Sequence, residues 1–131
     1  MTAFEPQAVT HMLVVADATA SRDWYLNVLD ASLYGEYGGT SVVLELAGNW
    51  VLLVTGGPPS PEKPTVTLDV PIDLDRVSTQ IIFRVGDCFE TYELLRARGA
   101  EFLTPPLERR GETRAFFRDP DGHLFEISAL T

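Results

Sequence analysis

The chain has 131 residues, of which 45% are hydrophobic, and a formal net charge of −9. That length suits one compact domain or two small modules sharing a core. The acidity, with Arg109-Arg110 as its only adjacent basic pair, excludes a nucleic-acid surface, which needs clustered cations to displace counterions. No apolar run reaches the roughly 18 residues of a membrane span, so neither nucleic acid nor membrane is an expected partner.

The predicted elements follow in chain order. Residues 8–16 read as a strand, dense in Val9, Met12, Leu13, Val14 and Val15. Asp17 to Ser21 offers N-cap residues, and Trp24, Tyr25, Val28 and Leu29 form one apolar helical stripe ending near Asp30. Leu33 to Tyr37, Thr40 to Ala47 and Trp50 to Thr55 are strands separated by Gly38-Gly39 and Gly48-Asn49. The stretch from Gly56 to about residue 76 holds Pro58, Pro59, Pro61, Pro64 and Pro71 and reads as a connector. Within it, Thr65 to Leu68 can pair as an edge.

The pattern then repeats. Thr79 to Val85 is a strand, and Asp87 to Gly99 a helix with Phe89, Tyr92, Leu94 and Leu95 on its apolar side. Phe102-Leu103 is a short strand before Pro105-Pro106. Arg114 to Arg118 and His123 to Ala129 flank Asp119-Pro120-Asp121-Gly122, a turn that closes a β-hairpin. Val15-Ala16-Asp17 opens the first helix and Val85-Gly86-Asp87 the second, which marks a diverged internal repeat. The expected fold is α+β, built of two β-α-β-β-β modules at about residues 8–55 and 77–131. In the last strand Glu126 stands between Phe125 and Ile127, on the opposite face from both. A carboxylate in that company lies either on a solvated face or in a cavity holding a cation.

The hairpin Ala115 to Ile127 resembles the closing signature of the vicinal oxygen chelate superfamily, which includes glyoxalase I, bleomycin-resistance proteins and extradiol dioxygenases. Val15-Ala16-Asp17 with Ser21-Arg22-Asp23-Trp24-Tyr25 is similar to its opening strand and helix, and Gly99 to Pro106 to a third segment. The resemblance implies a U-shaped mixed sheet around a concave small-molecule cavity, and a homodimer. It also implies that Glu126 is a metal ligand and the catalytic carboxylate. Mapping the metal positions strictly gives Thr10, Leu52, Gln80 and Glu126, a poor donor set, since Leu cannot ligate. His11 is one residue from the expected place. A β-bulge near Thr10 turns it into the cavity; without one it faces a helix or the dimer interface. With it, His11, Gln80 and Glu126 form an open three-ligand site for Zn, Ni, Fe or Mn, with no organic cofactor.

Strict alternation places Met12, Val14, Trp50, Leu52, Val54 and Ile82 beside Glu126 as the ligand-binding wall. His123, Asp119 and Asp121 read as turn residues, and Glu45 as exposed. Cys88 stands at a helix start, where thiolates are favoured, but no Cys–His pairing is visible. One cysteine and no signal-like leader between Met1 and Gln7 fit a reducing cytoplasm. Two functions compete. One is a metal-dependent glyoxalase-type lyase or dioxygenase acting on vicinal oxygens. The other is a non-catalytic binder that sequesters a drug or natural product without metal, as antibiotic-resistance members do.

Overall fold

The structure, a computed structural model, describes residues 2–131; Met1, the first residue of the leader reading, lies outside them. The fold is mixed α+β with two sheets, each combining one parallel pair with antiparallel ones. The chain divides into two units, residues 2–26 with 30–70, and residues 27–29 with 71–131.

The first unit holds β1 (Thr10–Val15), most of α1 (Ala18–Leu29), β2 (Ser32–Tyr37), β3 (Ser41–Leu46) and β4 (Asn49–Thr55), with strand order β1-β4-β3-β2. Leu13, Val15, Val42, Leu44, Leu46, Val51 and Leu53 are buried on one sheet face, as period-2 alternation requires. Asp17 caps α1 by accepting from the Ala20 N–H at 3.0 Å. The proline-rich stretch after β4 folds back on itself. Gly57 and Leu68 exchange backbone hydrogen bonds, both 2.9 Å. A Cβ on Gly56 would lie 2.4 Å from the Leu68 carbonyl oxygen, so this closure demands glycine. The Thr65 to Leu68 segment thus pairs only at its end.

The second unit holds β5 (Ile81–Arg84), α2 (Cys88–Ala97), β6 (Glu101–Phe102), β7 (Leu107–Arg109), β8 (Glu112–Arg118) and β9 (Leu124–Leu130). The sheet order is β5-β9-β8-β6, with β7 also paired to β8. Asp87 caps α2 through the Glu90 N–H at 2.9 Å, repeating the device of Asp17. The core of this unit is a row of rings. Phe83 stacks on Phe125 at 5.8 Å, Phe125 on Phe117 at 5.3 Å, Phe117 meets Phe102 at 5.1 Å, and Phe102 meets Tyr92 edge-on at 4.7 Å. The row runs across the sheet and ends on α2.

Three expectations change. The strand β7 adds an element between the expected Phe102-Leu103 and Arg114 to Arg118 strands: Arg110 and Gly111 both take positive φ, 51° and 85°, and form a two-residue hairpin turn without the usual Asn-Gly signal. On α2 the buried residues are Cys88, Tyr92 and Leu95, spaced i, i+4, i+7, while Phe89 and Leu94 are exposed. Phe89 and Leu94 each sit about 100° off the buried stripe. Cys88 is 2% exposed, its thiol directed at the Ile127 carbonyl. Burial raises its pKa, with the charges of Asp87 and Glu126 adding to that, so the reactive-thiolate setting suggested by its helix-start position is absent.

This packing makes a contrast that urea denaturation can check. Phe125→Ala, at a fully buried ring, should cost about 3–5 kcal/mol. Phe89→Ala should cost about 0.5 kcal/mol or less, as at an ordinary surface position. Similar costs for the two would overturn the assignment of the α2 faces.

Candidate functional site

Glu126 owes its position to the turn before it. The buried Asp119 carboxylate accepts from the His123 N–H at 2.8 Å and the Asp121 N–H at 3.0 Å. Its backbone N–H donates to His123 O at 3.0 Å, and its carbonyl accepts from Gly122 N–H at 3.0 Å. This is an Asx-type turn closed from both sides. Gly122 has φ 94°, and the Cβ it lacks would meet Leu74 Cδ2 at 2.2 Å. Leu74 therefore rests on the turn and carries the segment leading to Gln80 past the sheet end. His123 lies in this turn, as a turn residue should.

From this turn β9 runs in unbroken register against β5 and β8. Glu126 pairs with Ile82 on one side and Phe116 on the other, and Ser128 pairs with Arg84 and Arg114. Glu126 is 5% exposed. The Gln80 amide donates to Glu126 Oε1 at 3.4 Å, well beyond the 2.7–2.9 Å of a strong charge-assisted bond. A cavity of about 270 Å³ opens beside it, lined by Val77, Ser78, Thr79, Gln80, Phe116 and Leu124. The same face thus joins a buried carboxylate, an exposed amide, two hydroxyls and an apolar wall of Phe116, Leu124 and Ile82.

In the first unit, Met12, Val14, Trp50, Leu52 and Val54 share the sheet face opposite the buried one. All but Val14 are partly exposed, and Tyr34, which sequence reading missed, packs edge-on against Trp50 at 4.9 Å. Tyr34 was hidden because the β2–β3 register shifts between Leu33 and Gly35, which breaks simple alternation. Glu45, paired with Trp50, is exposed. His11 takes the second of the two placements left open for it. β1 pairs β4 without a break from Thr10 opposite Trp50 to Val15 opposite Thr55. The bulge that would turn His11 toward the Met12 face is absent, and His11 shares the face of Leu13 and Val15.

Residues 8–127 match the family model described as the Glyoxalase/Bleomycin resistance protein/Dioxygenase superfamily. The chain belongs to this superfamily. An uncharacterized Bacillus subtilis protein, YetH, is 35% identical over 51 residues, 39% of this chain and 42% of YetH. The match thus spans less than half the length of that relative. Among solved structures, a glyoxalase/bleomycin resistance protein/dioxygenase from Nocardioides superposes with TM-score 0.77 at 23% identity, covering 98% of this chain and 86% of its own. TioX from Micromonospora sp. ML1 gives 0.72 at 23% identity, over 96% and 100%. A mutant of the fosfomycin resistance protein FosX from Listeria monocytogenes, complexed with Mn(II) and 1S,2S-dihydroxypropylphosphonic acid, gives 0.68 at 23%, over 97% and 93%. At such identities the shared property is the superfamily fold.

Superfamily membership raises the question of a divalent metal, on which the donors present bear. Gln80 and Glu126 come together, one neutral and one anionic donor. His11 lies on the other face of its strand, and among the described residues no three His, Cys, Asp or Glu side chains form a group that could hold a metal ion. Tight divalent sites ordinarily need three or more such donors. Within the second unit the donors present, Gln80 and Glu126, are too few to make a resident metal centre by themselves.

The turn geometry carries its own test. Asp119→Ala leaves two backbone N–H groups without their acceptor and should destabilise the protein by about 2–3 kcal/mol in urea denaturation. A cost below about 0.5 kcal/mol would mean that other groups shape the turn.

Proposed function

We propose that this chain binds a small organic molecule on the Glu126 face of its second unit, with the Glu126 carboxylate as the polar anchor and no resident metal. The observation that carries this reading is the condition of Glu126. A carboxylate 5% exposed between Ile82 and Phe116, met among the described residues by a long contact from Gln80, lies where burial disfavours a charge that is not fully compensated. A ligand donor (an ammonium, hydroxyl or amide N–H) seated in the adjoining cavity supplies the missing partner. Gln80, Thr79 and Ser78 offer further hydrogen bonds, and Phe116 and Leu124 an apolar floor. This is the sequestration-type function of the superfamily, set against the metal-dependent lyase or dioxygenase reading. The half-exposed Trp50, Tyr34, Met12, Leu52 and Val54 face supports an additional aromatic contact surface. Homodimerisation is part of the same proposal.

Three measurements test it. Mn(II) titrated by calorimetry should bind no tighter than about 100 μM, with no change in Glu126→Gln. A stoichiometric site tighter than about 1 μM that disappears in Glu126→Gln would restore the metalloenzyme. In the ligand-free protein, Glu126→Gln should raise stability by about 1 kcal/mol, because it removes an undercompensated buried charge. In a thermal-shift screen of aromatic antibiotics, a ligand should raise the melting temperature of the wild type and not of the variant. Loss of stability in Glu126→Gln would show that the carboxylate is already satisfied, and would remove the basis of the proposal.

A further inference from the structure

Along the same sheet face, one step past Glu126, the chemistry changes sign. Ser128 pairs with Arg84 and Arg114, and Glu112 lies between the arginines. Glu112 Oε2 is 3.6 Å from Arg84 Nη2, and Oε1 is 3.5 Å from Arg114 Nε. Both distances exceed those of a strong charge-assisted hydrogen bond. One carboxylate is thus shared loosely by two guanidinium groups and saturates neither. A cavity of about 290 Å³ lies here, lined by Arg109, Arg110, Glu112 and Arg114. Four of the ten basic residues of a chain carrying net charge −9 belong to this one cluster around Glu112.

Three further observations point the cluster at a ligand. The Ser128 hydroxyl is buried, with the residue 1% exposed, and has no hydrogen-bond partner. Arg114 Nε is also buried without a hydrogen bond; its 3.5 Å approach to Glu112 is an ion pair too long or misaligned to count as one. Arg110 occupies a turn position with φ 51°, where Asn, Asp or Gly is favoured and a long side chain is strained. The unfilled guanidinium N–H and the strained arginine belong to residues that line the cavity, and the unfilled hydroxyl belongs to the β9 residue paired with Arg114.

We propose that this cluster is an oxyanion subsite, in which Arg109, Arg110, Arg114 and Ser128 hold a carboxylate or phosphate group. The planar guanidinium fork pairs two oxygens at once, and Ser128 donates its free O–H. Residues 126 and 128 are two strand steps apart, about 7 Å along β9. The ligand of the Glu126 reading would then carry a hydrogen-bond donor or cation and, at about that spacing, an oxyanion. That spacing rests on the proposed function; the subsite itself does not.

The test is calorimetric titration of the metal-free protein at low ionic strength with inorganic phosphate and, separately, with acetate. Phosphate should bind with a Kd of about 1 mM, and Arg114→Gln should weaken it about tenfold or more. Arg96→Gln, the same charge change on α2, should have little effect. Ser128→Ala should weaken binding several-fold while leaving the melting temperature unchanged or raised, since the hydroxyl has no partner to lose. Arg110→Asn should raise the melting temperature and weaken binding. Glu126→Gln should retain phosphate binding, so loss of the Glu126 reading and loss of this one are told apart. Tighter binding of phosphate assigns the subsite to phosphoryl groups, and tighter binding of acetate to carboxylates. Absence of wild-type binding to both anions, or equal binding by wild type, Arg114→Gln and Ser128→Ala, would overturn the proposal.

Discussion

The second unit depends on a row of five rings. Phe83, Phe125, Phe117, Phe102 and Tyr92 touch in succession from β5 to α2. Phe117 and Phe125 have no exposed surface, and each buries an area worth several kcal/mol. Because side chains alternate along a strand, seating Phe125 and Ile127 in that row forces Glu126 and Ser128 to the opposite face. A slip of one residue would drive Glu126 into the rings and bring Phe125 out. The aromatic core is therefore also the device that aims the polar site. No local preference of Glu126 itself is needed, and its own surroundings oppose it.

The turn at Asp119 and the loop at Leu74 complete this aiming at the sheet end. Asp119 holds two N–H groups with one carboxylate oxygen, which sets where β9 begins. Gly122 leaves the space that Leu74 enters, and Leu74 belongs to the segment that delivers Gln80 to Glu126. A buried carboxylate, a positive-φ glycine and a loop with little regular structure are thus parts of one arrangement. Rigid backbone stands under the site and a less regular segment beside it, the usual division between scaffold and recognition surface.

Much of this was legible in the residues because the signals were local. Asp17 and Asp87 announce helix starts by their capping chemistry, and Asp119-Pro120-Asp121-Gly122 announces a turn. Period-2 alternation separates Glu126 from Phe125 without reference to any partner strand. What was illegible depended on partners. Whether His11 faced the Met12 side turned on an unbroken ladder with β4 that its own strand does not encode. The burial of Cys88, and the exposure of Phe89 and Leu94, followed from which stripe of α2 met β8 and β9, although four apolar residues offered two stripes. Strand β7 hid behind an Arg110-Gly111 turn that lacks the residue expected there. The arginine cluster was invisible for the same reason. Arg84, Arg109, Arg110 and Arg114 are scattered over about thirty positions, and sheet register makes them neighbours.

The departures from local consistency are themselves distributed unevenly. On the α2-facing side of the second sheet, rings stack on rings and small residues fill between them. On the other side, Glu126 is buried with a long contact from Gln80, Ser128 carries an unused hydroxyl and Arg114 an unused N–H, and Arg110 has a strained backbone in the adjoining turn. Each is unfavourable for folding alone, by amounts of order 1 kcal/mol or more. Random imperfection would fall on both faces. The grouping of these departures beside two cavities and around groups of opposite charge is the pattern expected where stability is given up for recognition, and it is what the binding proposal rests on.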